Sequence, residues 1–504
     1  MKSRTLTCIT AMMLLAALAV PVQLTAQHTR FKLIDLGTPG GPNSYPTIVG
    51  PGVRFLNDAG TVASWGDTTV PDPTCFGADG LCLLTHTFRW ERGTRTDLGA
   101  LPGTNSSAAV AINAAGSILG GSENGLTDPI SGFPEIRAVL WKGDQLIELG
   151  ALGNTVLPTN LNNVGQVIGA FENTTPDKFS LVGFPTQTRA FLWQKGVMQD
   201  IGTLGGPDAQ ANSINEHGQV AGASYTNDIP NDTTGIPTLE PFLWDHGNMI
   251  PLGTLGGTVA GPGPQGSIMI NNRGQIIGTS NLTGDQFFHA FVWENGVMTD
   301  LKTLGGPTST ALWINEVGEI VGEADISDVP DGNGFPHHAF LWRDGNMRNL
   351  GTLAFTSHAE SINNKGQVVG RSRIECEICV LQHAFLWEDG GPMLDLNTLI
   401  PAGSNFQLID AYDINDRGEI LVQALPLGEQ PMEGVQLGHL ALLVPCESGD
   451  SCSDSSDPSA VAAANTTALM STANRRGVLS RSAVEWRAQL TRWYHMPGTA
   501  IHQH

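Results

Sequence analysis

Apolar and polar positions alternate in short runs along this chain, and Gly, Asn and Asp break each run. The same ordered phrase returns throughout. Its clearest copy begins with the apolar tetrad Ala190-Phe191-Leu192-Trp193. A short turn, Gly196 to Gly206 and then Ser213-Ile214-Asn215 through Gly222 follow. The Asn of the Ile-Asn-x-x-Gly element stands at Asn57, Asn113, Asn162, Asn215, Asn271, Asn315, Asn363 and Asn415. The Trp closing the tetrad stands at Trp90, Trp141, Trp193, Trp244, Trp293, Trp342 and Trp387. A period of about 44 to 56 residues predicts a propeller, solenoid or array. Each repeat reads as four strands: the tetrad, the segment ending in Asp-Leu-Gly, the segment ending in Ile-Asn, and Gln-Val-Val-Gly. Asn and Gly in the intervening turns are expected to supply positive φ angles. Four antiparallel strands over such a length make one propeller blade.

The chain ends carry complementary fragments. A second-strand element, Phe31 to Gly37, precedes the first tetrad, and a first-strand element, His439 to Leu443, ends the repeats with no second strand after it. Joined, they complete a blade. This predicts an all-β, closed β-propeller, with eight four-stranded blades and N/C-terminal strand closure. A seven-bladed ring follows if one degenerate unit is expelled. Closure also removes exposed sheet edges, whereas a solenoid would need capping repeats.

The phrases His-Ala-Phe-Leu-Trp (from His338 and His383), Asp-Leu-Gly-Thr-Leu-Gly-Gly and Ile-Asn-x-x-Gly-Gln-Val-Val-Gly resemble the HAF family of probable extracellular repeat proteins. The resemblance covers about residues 31–444. It implies a secreted bacterial repeat protein and supplies no catalytic residues. Pro251 and Asn349 depart from the usual Asp, and Ala354-Phe355 replaces Gly-Gly.

Outside the repeats, Lys2 and Arg4, an apolar run from Ile9 to Val22 and Leu24-Thr25-Ala26 read as a signal peptide over 1–26. The run is too short to span a bilayer, so the mature chain is expected to lack a transmembrane segment and to be extracellular or periplasmic. Export favours disulfides, and six cysteines form local pairs: Cys75/Cys82, Cys376/Cys379 and Cys446/Cys452. Metal or redox chemistry at Cys376-Glu-Ile-Cys379 is the alternative. A Ser- and Asp-rich linker fills 445–464. A locally basic tail follows over 465–504, with Trp486, Leu490 and Trp493 at helical spacing. The net charge of -22 argues against nucleic acid as a partner.

Function is expected on loops rather than on the repeated positions. Strand parity places the tight Trp-x-x-Gly and Asn-x-x-Gly turns on one face and the long, unlike connections on the other. In one of these, Asp325, Asp328 and Asp331 offer oxygen ligands that would suit calcium. Trp313 stands where other units carry Ala111, Ser213, Ser361 or Asp413, and could stack on a ligand such as a sugar. The acid before Leu-Gly and the His before the tetrad recur too often to mark one site, and read as structural. No hydrolase, phosphate-loop or dinucleotide motif occurs. The reading is a secreted binding scaffold for an extracellular protein or carbohydrate. An envelope structural protein, or a propeller hydrolase or lyase, is the alternative.

Overall fold

A computed structural model describes residues 29–46, 52–73, 82–103, 105–183, 185–262, 267–330, 334–374, 381–388, 390–429, 438–446 and 452. The expected signal peptide and basic tail lie outside these residues, as do Cys75, Cys376, Cys379, Asp331 and nearly all of the linker. Among the described residues no helix is long and apolar enough to cross a membrane.

Among the described residues the protein is all-β, with one short 3-10 helix, Leu396–Thr398. Their strands form six four-stranded antiparallel sheets and one nine-stranded sheet. The latter is a four-stranded meander and a five-stranded one, in which Gly256–Gly261 and Met269–Ile270 both pair with Ile276–Leu282, joined by a parallel bridge, Leu239↔Val259. In one four-stranded sheet the order is Ser107–Ile112, Ile118–Thr127, Pro134–Lys142, Gln145–Glu148. The sheet boundary therefore falls half a repeat away from the expected one. The Val-Gly strand of one unit pairs with the apolar tetrad of the next, as in Val220↔Trp244 and Gly222↔Phe242. A periodic phrase has no intrinsic beginning, so its period alone could not place the cut. The long connections are consequently hairpins within sheets, and the Gly-Thr-Leu-Gly-Gly loops are the links between sheets. Parity is unchanged: the tight turns share one end of the sheets, and the long hairpins share the other with the Gly-Gly links.

Where a link carries the Gly-Gly pair, its second Gly sits at a close approach, although Phe355 takes that place in one unit. A Cβ at Gly206 would lie 2.6 Å from Asn227 O, and one at Gly306 would lie 2.5 Å from Ser327 O. In the tetrad hairpins the expected positive φ is present on two successive residues, as at Lys195 (51°) and Gly196 (84°), which gives the turn the twist of its strands. In the Asn-x-x-Gly turns only the Gly is left-handed, for example Gly218 at 77°. The expectation that Asn supplies a positive φ there is corrected, because Asn acts through its side chain. Asn215 Oδ1 accepts from His217 N (3.1 Å) and Gln219 N (3.0 Å), which closes the turn.

Its amide then reaches the neighbouring unit. Asn215 Nδ2 donates to Asn271 O at 3.2 Å. The same bond runs from Asn57 to Asn113, Asn113 to Asn162, Asn162 to Asn215, Asn271 to Asn315, Asn315 to Asn363, and Asn363 to Asn415. Asn415 Nδ2 donates to Asn57 O at 3.1 Å, so the eight bonds form a cycle. No sheet closes on itself; the cycle passes through side chains. The chain ends meet as expected: Phe31–Asp35 pairs with His439–Pro445, from Phe31↔Pro445 to Asp35↔Ala441.

The core lies between neighbouring sheets. Trp141 is 1% exposed, and its Nε1 donates to Leu98 O of the preceding sheet at 3.1 Å. Phe191, Phe242, Phe291, Phe340 and Phe385 are fully buried. The Gly on the strand beside each makes room for the ring, as Gly222 does for Phe242.

Candidate functional site

In six meanders the strand that leads into the repeated Asn carries a register shift just before it, for example between Ala311 and Trp313 and between Ala411 and Asp413. Such bulges re-aim the side chains around them. Here they meet the segment Gly52–Leu56, which is tied to several sheets. Asp413, fully buried, accepts from Phe55 N (3.0 Å) and Leu56 N (3.2 Å). Burial pushes the Asp413 carboxyl up, and Arg54 opposes this. Arg54 O accepts from Ile112 N at 2.9 Å, and Gly52 abuts Met269 and Ser267. The Arg54 guanidinium lies 5.1 Å from the centre of the Trp313 ring. Trp313, proposed from sequence as a stacking residue, is thus 3% exposed and covered by a cation.

The other sequence-derived candidates fall in different settings. Asp325 is 5% exposed, and its Oδ2 accepts from Thr308 N (2.9 Å) and Thr308 Oγ1 (2.5 Å), pinning the Gly-Gly link. Asp328 is exposed, and Asp331 lies outside the described residues. Cys446 and Cys452 are joined by a disulfide, and Cys82 is disulfide-bonded. The recurrent His and acid positions face each other across the tetrad hairpin. His289 Nδ1 and Asp300 Oδ1 are 2.9 Å apart, and His383 Nδ1 and Asp395 Oδ2 are 2.7 Å apart. Arg189 takes the His role with Asp200. Each Asp at these positions also accepts a backbone N–H two residues on, as Asp97 does from Gly99, which ties it into its turn.

The most concentrated chemistry sits at the hairpin end of two neighbouring sheets. Glu323 lies on Ile320–Asp325 and His337 on His337–Arg343, which pair with each other. His358 lies on Ser357–Ile362 of the next sheet. One donor atom from each falls within 4.8 Å of the other two. His337 Nε2 is 3.0 Å from His358 Nε2 and 3.8 Å from Glu323 Oε2. Glu323 also forms an ion pair with His358 Nδ1. Burial pushes the Glu323 carboxyl up, but His358, His337 and Arg371 outweigh it and hold the group at about 2. Burial pushes the His358 imidazole down; Glu323 opposes this and Arg371 reinforces it. Next to the cluster, Arg371 bridges Glu360 and Asp410, the latter at 3.0 Å. Burial raises Glu360 to about 7.

Sequence reasoning passed over Glu323, His337 and His358. Two signals were available. His337 doubles the His that other units carry once, and His358 replaces Ala108, Leu157, Gln210 and Thr310 of the corresponding strands.

No protein-family model matches the chain, and no curated protein matches it. Solved structures do. Dipeptidyl peptidase 4 of Porphyromonas gingivalis is 11% identical, with a TM-score of 0.45 over 78% of this chain and 60% of its own. The acylaminoacyl peptidase of Pyrococcus horikoshii is 10% identical, with a TM-score of 0.40 over 76% and 59%. The β-propeller domain of the Trilobed protease from Pyrococcus furiosus is 8% identical, with a TM-score of 0.29 over 64% and 96%. The chain matches only about three-fifths of the length of the two peptidases.

Proposed function

We infer that the chain is an exported, closed, eight-bladed propeller of the HAF repeat type that serves as a binding scaffold. Its partner, an extracellular protein or carbohydrate, engages the face of long hairpins. The ring reading is supported by the cycle of Asn bonds and by the pairing of Phe31–Asp35 with His439–Pro445. The observation that carries the binding reading is that the long hairpins differ from sheet to sheet in length and sequence, whereas the tight turns do not. The hairpins also expose apolar side chains such as Leu126, Ile229 and Val329, although Val164, Val197, Val297 and Val317 are similarly exposed at the tight turns. The tight turns of the opposite face repeat with little change and offer little specificity.

The test is a screen of the purified protein against extracellular glycans and proteins, with hydrogen exchange to map the contact. Replacing Leu126, Ile229 and Val329 by Ser should abolish capture while leaving the melting temperature nearly unchanged. Protection confined to the Asn-x-x-Gly turns would defeat the reading. A hydrolase acting on an extracellular polymer is the second reading, and the Glu323–His337–His358 cluster is the observation that favours it.

A further inference from the structure

We propose that Glu323, His337 and His358 bind a divalent first-row transition metal of the zinc class. The inference stands whether the propeller is a scaffold or an enzyme. Three strands of two sheets bring the donors together, so the site exists only in the folded protein. In a tetrahedral site with bonds of about 2.0–2.2 Å, neighbouring donor atoms stand about 3.3–3.6 Å apart. The observed separations, 3.0 Å between the two Nε2 atoms and 3.8 Å from His337 Nε2 to Glu323 Oε2, straddle that value.

The surroundings of His337 agree. His337 Nδ1 lies 3.2 Å from Phe335 O, to which it donates its proton, leaving the Nε2 lone pair directed at the cluster. Metal-bound histidines are fixed in this way. Two ring nitrogens facing each other at 3.0 Å need a proton or a cation between them. Glu323 Oε2 and His358 Nδ1 form an ion pair, which holds the carboxylate beside the two rings. Arg371 does not repel the ion outright, because Glu360 and Asp410 already pair with it.

Ligand type sets the metal. Two imidazoles and one carboxylate suit zinc, cobalt, nickel, copper or iron, whereas calcium and magnesium take oxygen ligands. Three protein ligands leave at least one position for water or an incoming group. The side chains are 27%, 17% and 15% exposed for His337, Glu323 and His358, which leaves a path from the hairpin face.

The experiment titrates metal-stripped full-length protein with Zn²⁺ by calorimetry and with Co²⁺ by visible absorption. One equivalent of Zn²⁺ should bind and displace Co²⁺, and excess Ca²⁺ should not compete. His337→Ala, on a half-exposed hairpin side chain, should weaken binding by at least ~100-fold, and Glu323→Gln by ~10–100-fold. Asp328→Asn should leave it unchanged. Circular dichroism and melting establish that each variant is folded. A wild-type protein that binds no Zn²⁺, with the cluster held by a proton on His358, would overturn the proposal. So would folded His337→Ala and Glu323→Gln variants that bind as the wild type does, with other histidines of the chain as the ligands.

Discussion

Removing the side chain of Asn415 tests the cycle where the two ends of the chain meet. Asn415 is fully buried and makes four bonds. Its Nδ2 donates to Asn57 O (3.1 Å) and Glu419 Oε2 (2.6 Å). Its Oδ1 accepts from Arg417 N and Glu419 N, both at 3.0 Å. Asn415→Ala strands the buried N–H of Glu419, while that of the exposed Arg417 turns to water. Asn57 O keeps one partner, Gly60 N at 2.9 Å. A stranded donor costs about 1–3 kcal/mol, and each lost bond to a group that keeps a partner about 0.5–1.5 kcal/mol. One of the first and three of the second give an expected loss of about 3–7 kcal/mol. Asn415→Asp separates the two functions. It keeps both acceptor bonds, loses both donor bonds, and sets a second carboxylate against Glu419. Equilibrium unfolding in urea, followed by tryptophan fluorescence, gives the free energies. In a closed cycle Asn415→Ala should cost about as much as Asn215→Ala, whose side chain makes the same bonds inside the chain. If Asn415→Ala lies within about 0.5 kcal/mol of wild type, as surface substitutions do, the reasoning fails.

Two further outcomes follow from packing and charge. Gly222→Ala places a Cβ 2.1 Å from Gln210 O and 2.6 Å from the Phe242 ring, and should destabilise by about 1–3 kcal/mol or more in the same assay; a neutral effect would refute the close-packing account of the repeated Gly. Burial, reinforced by Asp128, raises the Glu172 carboxyl from 4.5 to about 8, so between those values the folded protein holds a proton that the unfolded chain releases. Stability should therefore fall as pH rises from about 5 to 8, by up to about 1.4 kcal/mol per unit for this proton. Glu172→Gln should flatten the slope, and an unchanged slope would refute the assignment.

The architecture was readable because it is written many times. Repeated Trp, Asn and Gly positions marked the strands, and the complementary fragments at Phe31 and His439 indicated which strand pairs with which. The phase of the sheets was not readable, because the strand before a tetrad and the strand after it fit the same alternation. The role of Asn was misassigned for a related reason. Its position is local, but its decisive bond goes to a backbone carbonyl in the neighbouring unit, 44 to 56 residues away. The Glu–His cluster was hidden because it occurs once. His337 and His358 stand 21 residues apart in different sheets, and only the stacking of those sheets makes them neighbours. Asp325, by contrast, looked like a ligand in sequence, and the fold turns its carboxylate inward to Thr308.

The junction of the chain ends also sets the order of folding. Asp35 meets His439 across 404 residues of sequence, at 2.9 Å. Phe31–Asp35 therefore has no partner strand until nearly the whole repeat array has been made. Contacts this distant carry the largest loop-closure cost and slow folding. As the chain leaves the ribosome, the intermediate sheets form from local hairpins as they appear. The segment Gly52–Leu56 waits with Phe31–Asp35, because Asp413, which holds it, arrives almost last. Until then Phe31–Asp35 presents unpaired backbone groups, which are a template for pairing with another chain. The interval between synthesis of the first strand and of the last is when the protein is most exposed to misassembly, and chaperone demand should peak there.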